Sequence, residues 1–328
     1  MLILTKAVIS LMLGFIVAIL LGFIIVPYMK KLKASQSVSK HLNERHLAKE
    51  GTPTMGGFIF VGAVTFLFGF FFLTGKTSWN ASIIILFIIF LSYATIGFLD
   101  DYKKIKQRNN GGLSILSKFL FEIIIAVIFF ALYILSGNNT NIQLFNFVID
   151  LRFLYGFLIL LMLTGTSNAV NITDGLDGLC VGLCAISFLT YGIIAFNSNF
   201  IMGYEEIGVF CFVLSGALLG FLFFNFYPAK IFMGDLGSLA LGASLATVAI
   251  LLKKEVSLII IGLVYILETI SSFIQIVGIK LFNKKIFLKS PLHHHFEELG
   301  FCESDIIKFF YTIGLIFSLI TLIGYVWM

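Results

Sequence analysis

The chain has 328 residues, of which 59% are hydrophobic and only 12% are charged. Soluble globular proteins carry about 25% charged residues, so this composition excludes a soluble globule and makes the lipid bilayer the main solvent. The formal net charge of +5 therefore concerns orientation in a membrane, and no nucleic-acid partner is expected.

Apolar runs of roughly 17 to 24 residues recur along the chain, and about 20 helical residues cross a bilayer core. The first run is long for a signal peptide and no small-residue cleavage site follows it, so we expect it to remain a membrane helix. The pattern predicts an all-α, polytopic integral membrane protein with about ten transmembrane helices. Because the connections are short, residues 1–328 are predicted to form a single transmembrane domain. The predicted spans are Ala7 to Val26, Met55 to Thr74, Ala81 to Leu99, Phe119 to Leu135, Phe153 to Val170, Leu179 to Phe196, Ile207 to Phe224, Leu236 to Leu252, Val256 to Ile279 and Ile306 to Trp327.

Lysine and arginine are concentrated in the odd-numbered connections between these spans. By the positive-inside rule, those connections are cytosolic and both termini lie outside. Cys180, Cys184 and Cys211 fall within spans and Cys302 in a connection, which indicates small apolar side chains rather than a disulfide framework.

Five motif-like stretches occupy connections one, three, five, seven and nine, all on the predicted cytosolic side. They are Lys49 to Gly57 (KEGTPTMGG), Asp100 to Lys104 (DDYKK), Asn168 to Gly178 (NAVNITDGLDG), Asn225 to Gly237 (NFYPAKIFMGDLG) and Pro291 to Glu298 (PLHHHFEE). Chance would rarely place all five on one side, so the pattern indicates a single composite site at the membrane surface.

Asp100 and Asp101 directly follow an apolar run, where a span leaves the hydrocarbon. A solvated helix end is the ordinary interpretation. Adjacent carboxylates repel each other and the C-terminal end of a helix disfavours anions, however, so two aspartates there indicate a bound cation or a reacting proton.

Polar residues recur at every third position in Asn168, Asn171, Asp174 and Asp177. On an ideal helix each step of three drifts by about 60°, so the first and last would face opposite ways. Because Gly175 can loosen or end the helix, all four side chains could converge on one ligand such as a nucleotide.

Three further features fall in the last connections and spans. Asp235 lies between glycines in a loop where one carboxylate suffices for a phosphate-bound Mg²⁺. His293, His294 and His295 are consecutive, so they point about 100° apart on a helix and a shared zinc ion is not expected. Glu268 lies inside the ninth apolar run, which is long enough to be kinked or broken, and both a functional and a structural role are open for it.

Together the five stretches resemble the phospho-N-acetylmuramoyl-pentapeptide transferases over nearly the whole chain. DDYKK, NAVNITDGLDGL and FMGDLGSL look like the wider superfamily of polyprenyl-phosphate phospho-sugar transferases, whereas GTPTMGG and PLHHHFE look like this family in particular. The resemblance implies Mg²⁺-dependent transfer of phospho-MurNAc-pentapeptide from UDP-MurNAc-pentapeptide to undecaprenyl phosphate, releasing UMP, at the cytosolic face of the bacterial inner membrane. Its implied partners are these two substrates and membrane lipid, with a homodimer left open.

The resemblance also implies the roles of the site residues. Asp235 is the expected metal ligand, and Asp100, Asp101, Asp235 and His293 are the expected catalytic residues. The expected substrate-binding residues are Lys49, Lys104, Asn168, Asn171, Asp174, Asp177, Asn225, Phe232, His294 and His295. Gly111 departs from the lysine that the resemblance implies at this position, and Arg108 is a candidate replacement.

Several alternatives stay open on the sequence. Asp100 could act as a base, as a covalent nucleophile or as a positioning group, because a phosphomonoester is already largely ionised at neutral pH. A sister transferase moving GlcNAc-1-phosphate is the nearest rival. A secondary transporter is another, although transporters place polar sites near the midplane between related halves, and no repeat is evident here.

Overall fold

The computed structural model describes residues 2–32, 34, 51–107, 111–144, 147–197 and 204–327. Its elements are almost all helical, in agreement with the fold class predicted from the sequence. In chain order they are α1 (Leu2–Lys31), α2 (Gly57–Leu73), α3 (Ala81–Gln107), α4 (Ile115–Leu135), β1 (Asn141–Leu144), β2 (Phe147–Asp150), α5 (Leu154–Thr173), α6 (Leu179–Asn197), α7 (Tyr204–Asn225), α8 (Gly234–Leu251), α9 (Ser257–Ile261), α10 (Leu263–Phe282), α11 (Leu292–Glu298) and α12 (Glu303–Leu322), which ends in a π turn at Ile323–Trp327.

Nine helices in the described part of the chain are long and apolar enough to cross a membrane. A further apolar helix, α2, is 17 residues long, which is the lower end of the length that spans a hydrocarbon core. The ninth predicted run is broken at Gly262, which separates α9 from α10. The prediction of a kinked or broken ninth span is therefore confirmed.

One element departs from the all-α prediction. The connection between α4 and α5 contains an antiparallel hairpin in which Asn141 pairs with Asp150 and Leu144 with Phe147. Each strand has only four residues, so a search for apolar runs of about 20 residues could not detect them. The Lys253 ammonium ties the hairpin to the start of the broken span by donating to the Asn139 carbonyl at 2.5 Å.

Helix α8 is the centre of the bundle, because every residue from Leu236 to Leu251 is buried. Its small side chains allow α3 and α5 to approach closely, as small residues do at helix contacts inside membranes. Cys180, Cys184 and Cys211 are buried, as expected for small apolar side chains, whereas Cys302 is exposed.

The crossing of α3 and α8 positions the polar residues described below. Gly97 of α3 lies so close to α8 that a methyl group built on it would overlap the backbone carbonyl of Asp235. The absence of a side chain at Gly97 therefore lets the C-terminal third of α3 pack against the first turn of α8.

Replacing Gly97 with alanine should destabilise the protein by about 1–3 kcal/mol, because the added methyl forces two packed helices apart. The measurement is the free energy of unfolding, or the thermal midpoint, in detergent. Gly69→Ala in α2 is the matched control, since nothing described lies within 4 Å of a Cβ built there. Equal stability of the two variants would contradict the close approach.

Candidate active site at one end of the bundle

Three carboxylates meet where α3 ends and α8 begins. Asp100 and Asp101 lie in the last two turns of α3 and Asp235 in the first turn of α8. Each offers one ligand oxygen, and these oxygens lie within 4.8 Å of one another. Asp100 and Asp101 are buried, at 1% and 0% exposure, so the cluster is largely removed from water. Such a set of hard oxygen donors has the chemistry that Mg²⁺ requires.

Two lysines bridge the carboxylates. The Lys104 ammonium lies 2.6 Å from Asp100 and 3.0 Å from Asp235. The Lys118 ammonium, from the first turn of α4, lies 3.0 Å from an oxygen of each of the same two residues. Three helices, α3, α4 and α8, are thereby joined through ion pairs. The two lysine contacts with Asp235 are also charge-assisted hydrogen bonds, which are stronger than those between neutral groups.

Backbone N–H groups also donate to the buried carboxylates of Asp100 and Asp101. The Leu113 N–H donates to Asp100 at 2.7 Å, and the Leu236 N–H donates to Asp101 at 3.1 Å. Both loops turn at glycines with positive φ, Gly112 at +48° and Gly234 at +77°. A Cβ on Gly112 would overlap the Asp100 carboxylate, and a Cβ on Gly234 would overlap the Asp101 carboxylate. Both positions therefore favour glycine for its positive φ and for its lack of a side chain.

The members of the asparagine and aspartate repeat make different contacts within the protein. Asn171 reaches the cluster, because its amide donates to Asp235 at 2.9 Å and to the Ser238 hydroxyl at 2.7 Å. Asn168 is exposed and donates to the Thr164 carbonyl at 2.8 Å. Asp174 caps the end of α5, where burial, followed by the negative charges of Asp235 and Asp101, raises the pKa of its carboxyl to about 8.

Asp177 and Asn225 tie neighbouring segments together. Asp177 accepts from the Ala229 N–H at 2.9 Å and its own N–H donates to Glu303 at 2.8 Å. Asn225 accepts from the Gly178 N–H at 3.1 Å and donates to the Ile231 carbonyl at 2.9 Å. These contacts are with protein groups, so both side chains have a structural task, and their predicted contact with substrate stays a prediction.

The first motif pairs with the loop that carries Asp235. The Gly56 N–H donates to the Phe232 carbonyl at 2.8 Å, and the Phe232 N–H donates to the Pro53 carbonyl at 2.8 Å. A methyl group on Gly56 would lie 2.7 Å from that same carbonyl oxygen, so the glycine permits the approach. Phe232 is half-buried. Lys49 and Arg108 lie outside the described residues.

Each histidine of the PLHHHFEE stretch has a different partner. His293 Nδ1 lies 3.0 Å from Glu268 of α10, and His294 Nδ1 lies 2.6 Å from Glu297. His295 Nδ1 accepts from the Leu288 N–H at 3.2 Å. Burial lowers the pKa of the His294 imidazole. The three imidazole rings thus contact three different partners.

Helix α10 also holds the loop that precedes these histidines. The Gln275 side-chain oxygen accepts from the N–H groups of Ile286 and Phe287, at 3.1 and 2.9 Å, and its amide donates to the Phe287 carbonyl at 3.0 Å. A side chain thus replaces the backbone partner that a strand would provide, and fixes the loop against α10.

Sequence reasoning missed Lys118 and Ser238. Lys118 stands alone in sequence and was interpreted only as one of the basic residues that set membrane orientation. Its position at the start of the apolar helix α4 was the available signal, because an ionisable group at the edge of a span commonly has a partner. Ser238 had no distinguishing signal in sequence.

The model of glycosyl transferase family 4 matches residues 82–253, and a signature of phospho-N-acetylmuramoyl-pentapeptide-transferase matches residues 49–61. These two matches include the DDYKK, NITDGLDG and FMGDLG stretches and the first motif. They therefore cover the segments that form the carboxylate cluster.

Similar proteins named phospho-N-acetylmuramoyl-pentapeptide-transferase occur in several bacteria. The one from Staphylococcus saprophyticus is 44% identical over 94% of this chain and 97% of its own length. The one from Geobacillus thermodenitrificans is 41% identical over 98% of both chains, and the one from Bacillus subtilis is 40% identical over 97% and 98%. With this similarity along nearly the whole length, the chain belongs to the phospho-N-acetylmuramoyl-pentapeptide-transferase family of multi-pass membrane enzymes.

Proposed function

We propose that this enzyme transfers phospho-MurNAc-pentapeptide from UDP-MurNAc-pentapeptide to undecaprenyl phosphate, forming lipid I and UMP, with Mg²⁺ as cofactor. The observation that carries the proposal is the buried cluster of Asp100, Asp101 and Asp235 bridged by two lysines. The names of the relatives support the sugar and peptide parts of the substrate. The cytosolic face of the bacterial inner membrane is the proposed location, following the distribution of basic residues, and a homodimer stays a prediction.

The chemistry brings a lipid phosphate against a diphosphate, so several negative charges must be neutralised and aligned. Asp235 is the proposed Mg²⁺ ligand, with Asp100 and Asp101 close enough to contribute oxygens. Mg²⁺ would supply charge neutralisation at the diphosphate. Lys104 and Lys118 already stand beside these carboxylates and can turn their ammonium groups toward phosphate oxygens.

The contacts of Asp100 support a positioning role. Its carboxylate receives Leu113 N–H, Lys104 and Lys118, and it is only 1% exposed. These contacts engage both carboxylate oxygens, so neither is directed freely toward a phosphorus atom. Asp100 is therefore proposed to hold the two lysines in place.

The direct test measures UMP and lipid product from purified protein with UDP-MurNAc-pentapeptide, undecaprenyl phosphate and added Mg²⁺. Activity should be lost on chelation, and Asp235→Ala should lower kcat by roughly 1000-fold because the charge-neutralising site is removed. Asp150→Ala on the exposed hairpin is the control and should retain activity. UMP release only from UDP-GlcNAc would favour the sister transferase, and vesicle uptake without lipid product would favour a transporter.

Lys118→Met should lower kcat/KM by about 100-fold, because one of two ammonium groups beside the phosphates is lost. Lys103→Met is the matched control, since Lys103 adjoins the cluster in sequence but makes no contact with its carboxylates in the described structure. Steady-state kinetics on both variants give the comparison. Similar activity in the two variants would remove Lys118 from the proposed site.

Asp100→Asn should lower kcat by about 10- to 100-fold to the same extent at every pH between about 6.5 and 9, because the amide keeps part of the hydrogen bonding but loses the charge. Asp305→Asn, on the exposed start of α12, is the control. A deficit confined to low pH would identify Asp100 as a base instead. Complete loss at all pH values would favour a covalent nucleophile.

A further inference from the structure

A second buried pair of ionisable groups joins α10 to α11. Glu268 of α10 and His293 of α11 are 0% and 1% exposed. Their Oε2 and Nδ1 atoms are 3.0 Å apart, and the backbone N–H of His293 lies 3.4 Å from the same oxygen. A carboxylate in the middle of an apolar helix is costly, so its placement needs a specific partner.

The two contacts of Glu268 Oε2 define its hydrogen-bonding role. A backbone N–H can only donate, so this oxygen faces at least one donor and acts as an acceptor. An imidazole that donates from Nδ1 to the same oxygen leaves Nε2 with a lone pair when the ring is neutral.

The second ring nitrogen faces the loop that ends α5. A Cβ built on Gly175 would overlap His293 Nε2, so only a glycine leaves room for the ring. This nitrogen is buried and has no hydrogen-bond partner among the described residues. Gly175 follows Asp174, whose carboxyl feels the charges of Asp235 and Asp101. The unpartnered nitrogen therefore lies against the residue that follows Asp174 at the end of α5.

We propose that Glu268 is a positioning residue that fixes the Nδ1–H form of His293 and directs Nε2 across Gly175 as a hydrogen-bond acceptor for a hydroxyl of the substrate. The role of Nε2 toward substrate rests on the transferase activity proposed above. The position of the proton on the His293 ring is independent of that activity.

The state of the ring can be measured without substrate. In the full-length protein with ¹⁵N-labelled histidine, the imidazole nitrogen shifts distinguish the two neutral forms, and His293→Gln identifies the His293 signals. The wild type should show His293 protonated at Nδ1. Glu268→Met, which removes the acceptor, should abolish this preference. Glu268→Gln, which keeps a side-chain oxygen, should retain it.

Kinetics test whether the ring state matters. Glu268→Met should lower kcat by roughly 10- to 100-fold with little change in KM, and Glu268→Gln should recover most of the loss. The matched control is Glu255→Met in the connection before α9. Glu255 is also buried, and it accepts from the Tyr155 hydroxyl at 2.5 Å. Its variant should lower the unfolding temperature while the His293 signals and kcat stay unchanged.

Three results would overturn the proposal: a wild-type ring protonated at Nε2, an unchanged ring state in Glu268→Met, or unchanged kcat in that variant. A purely structural role would lower stability without altering the ring signals of the folded protein. If wild-type protein fails to release UMP while the ring signals behave as expected, the transferase assignment fails and the positioning of His293 stands.

Discussion

Three carboxylates with oxygens inside 4.8 Å cannot remain together in a poorly hydrated site unless their charges are compensated. Repulsion between like charges rises as the local dielectric constant falls, and an unpaired buried charge costs several kcal/mol. Lys104, Lys118 and backbone N–H groups supply that compensation here. The same arrangement prepares the site for anionic substrates, because the compensating groups are the ones that a phosphate attracts.

The backbone is shaped around this requirement. Lys118 reaches Asp100 only because the chain folds tightly through Gly112, and Asp101 meets the Leu236 N–H only because Gly234 takes a positive φ. Gly97 adds the close crossing of α3 and α8. A few glycines thus convert two ordinary helix ends into a compact ionic cluster, at a conformational cost that the packed bundle offsets.

Sequence reasoning located the carboxylates because Asp100, Asp101 and Asp235 interrupt apolar surroundings, and an ionisable group at the end of a span is conspicuous. It could not separate Asn171, which contacts Asp235, from Asp177, which contacts the Ala229 N–H. Both occupy the same polar repeat, and only the path of the chain after Thr173 distinguishes them. Lys118 was hidden among residues that membrane orientation already explained. The hairpin was missed because its eight residues carry no signal at the length scale of a membrane span.

Glu268 and Gln275 are seven residues apart on α10, close to two full turns, so their side chains leave the same face of the helix. One face therefore anchors both the ring of His293 and the loop at Ile286 and Phe287. Rotation of α10 about its long axis would break both anchors together, whereas sliding or tilting with its neighbours preserves them. We therefore expect α10, α11 and the loop before α11 to move as one rigid body. The conformational entropy of these segments is lost when the protein folds, so ordering them does not oppose substrate binding.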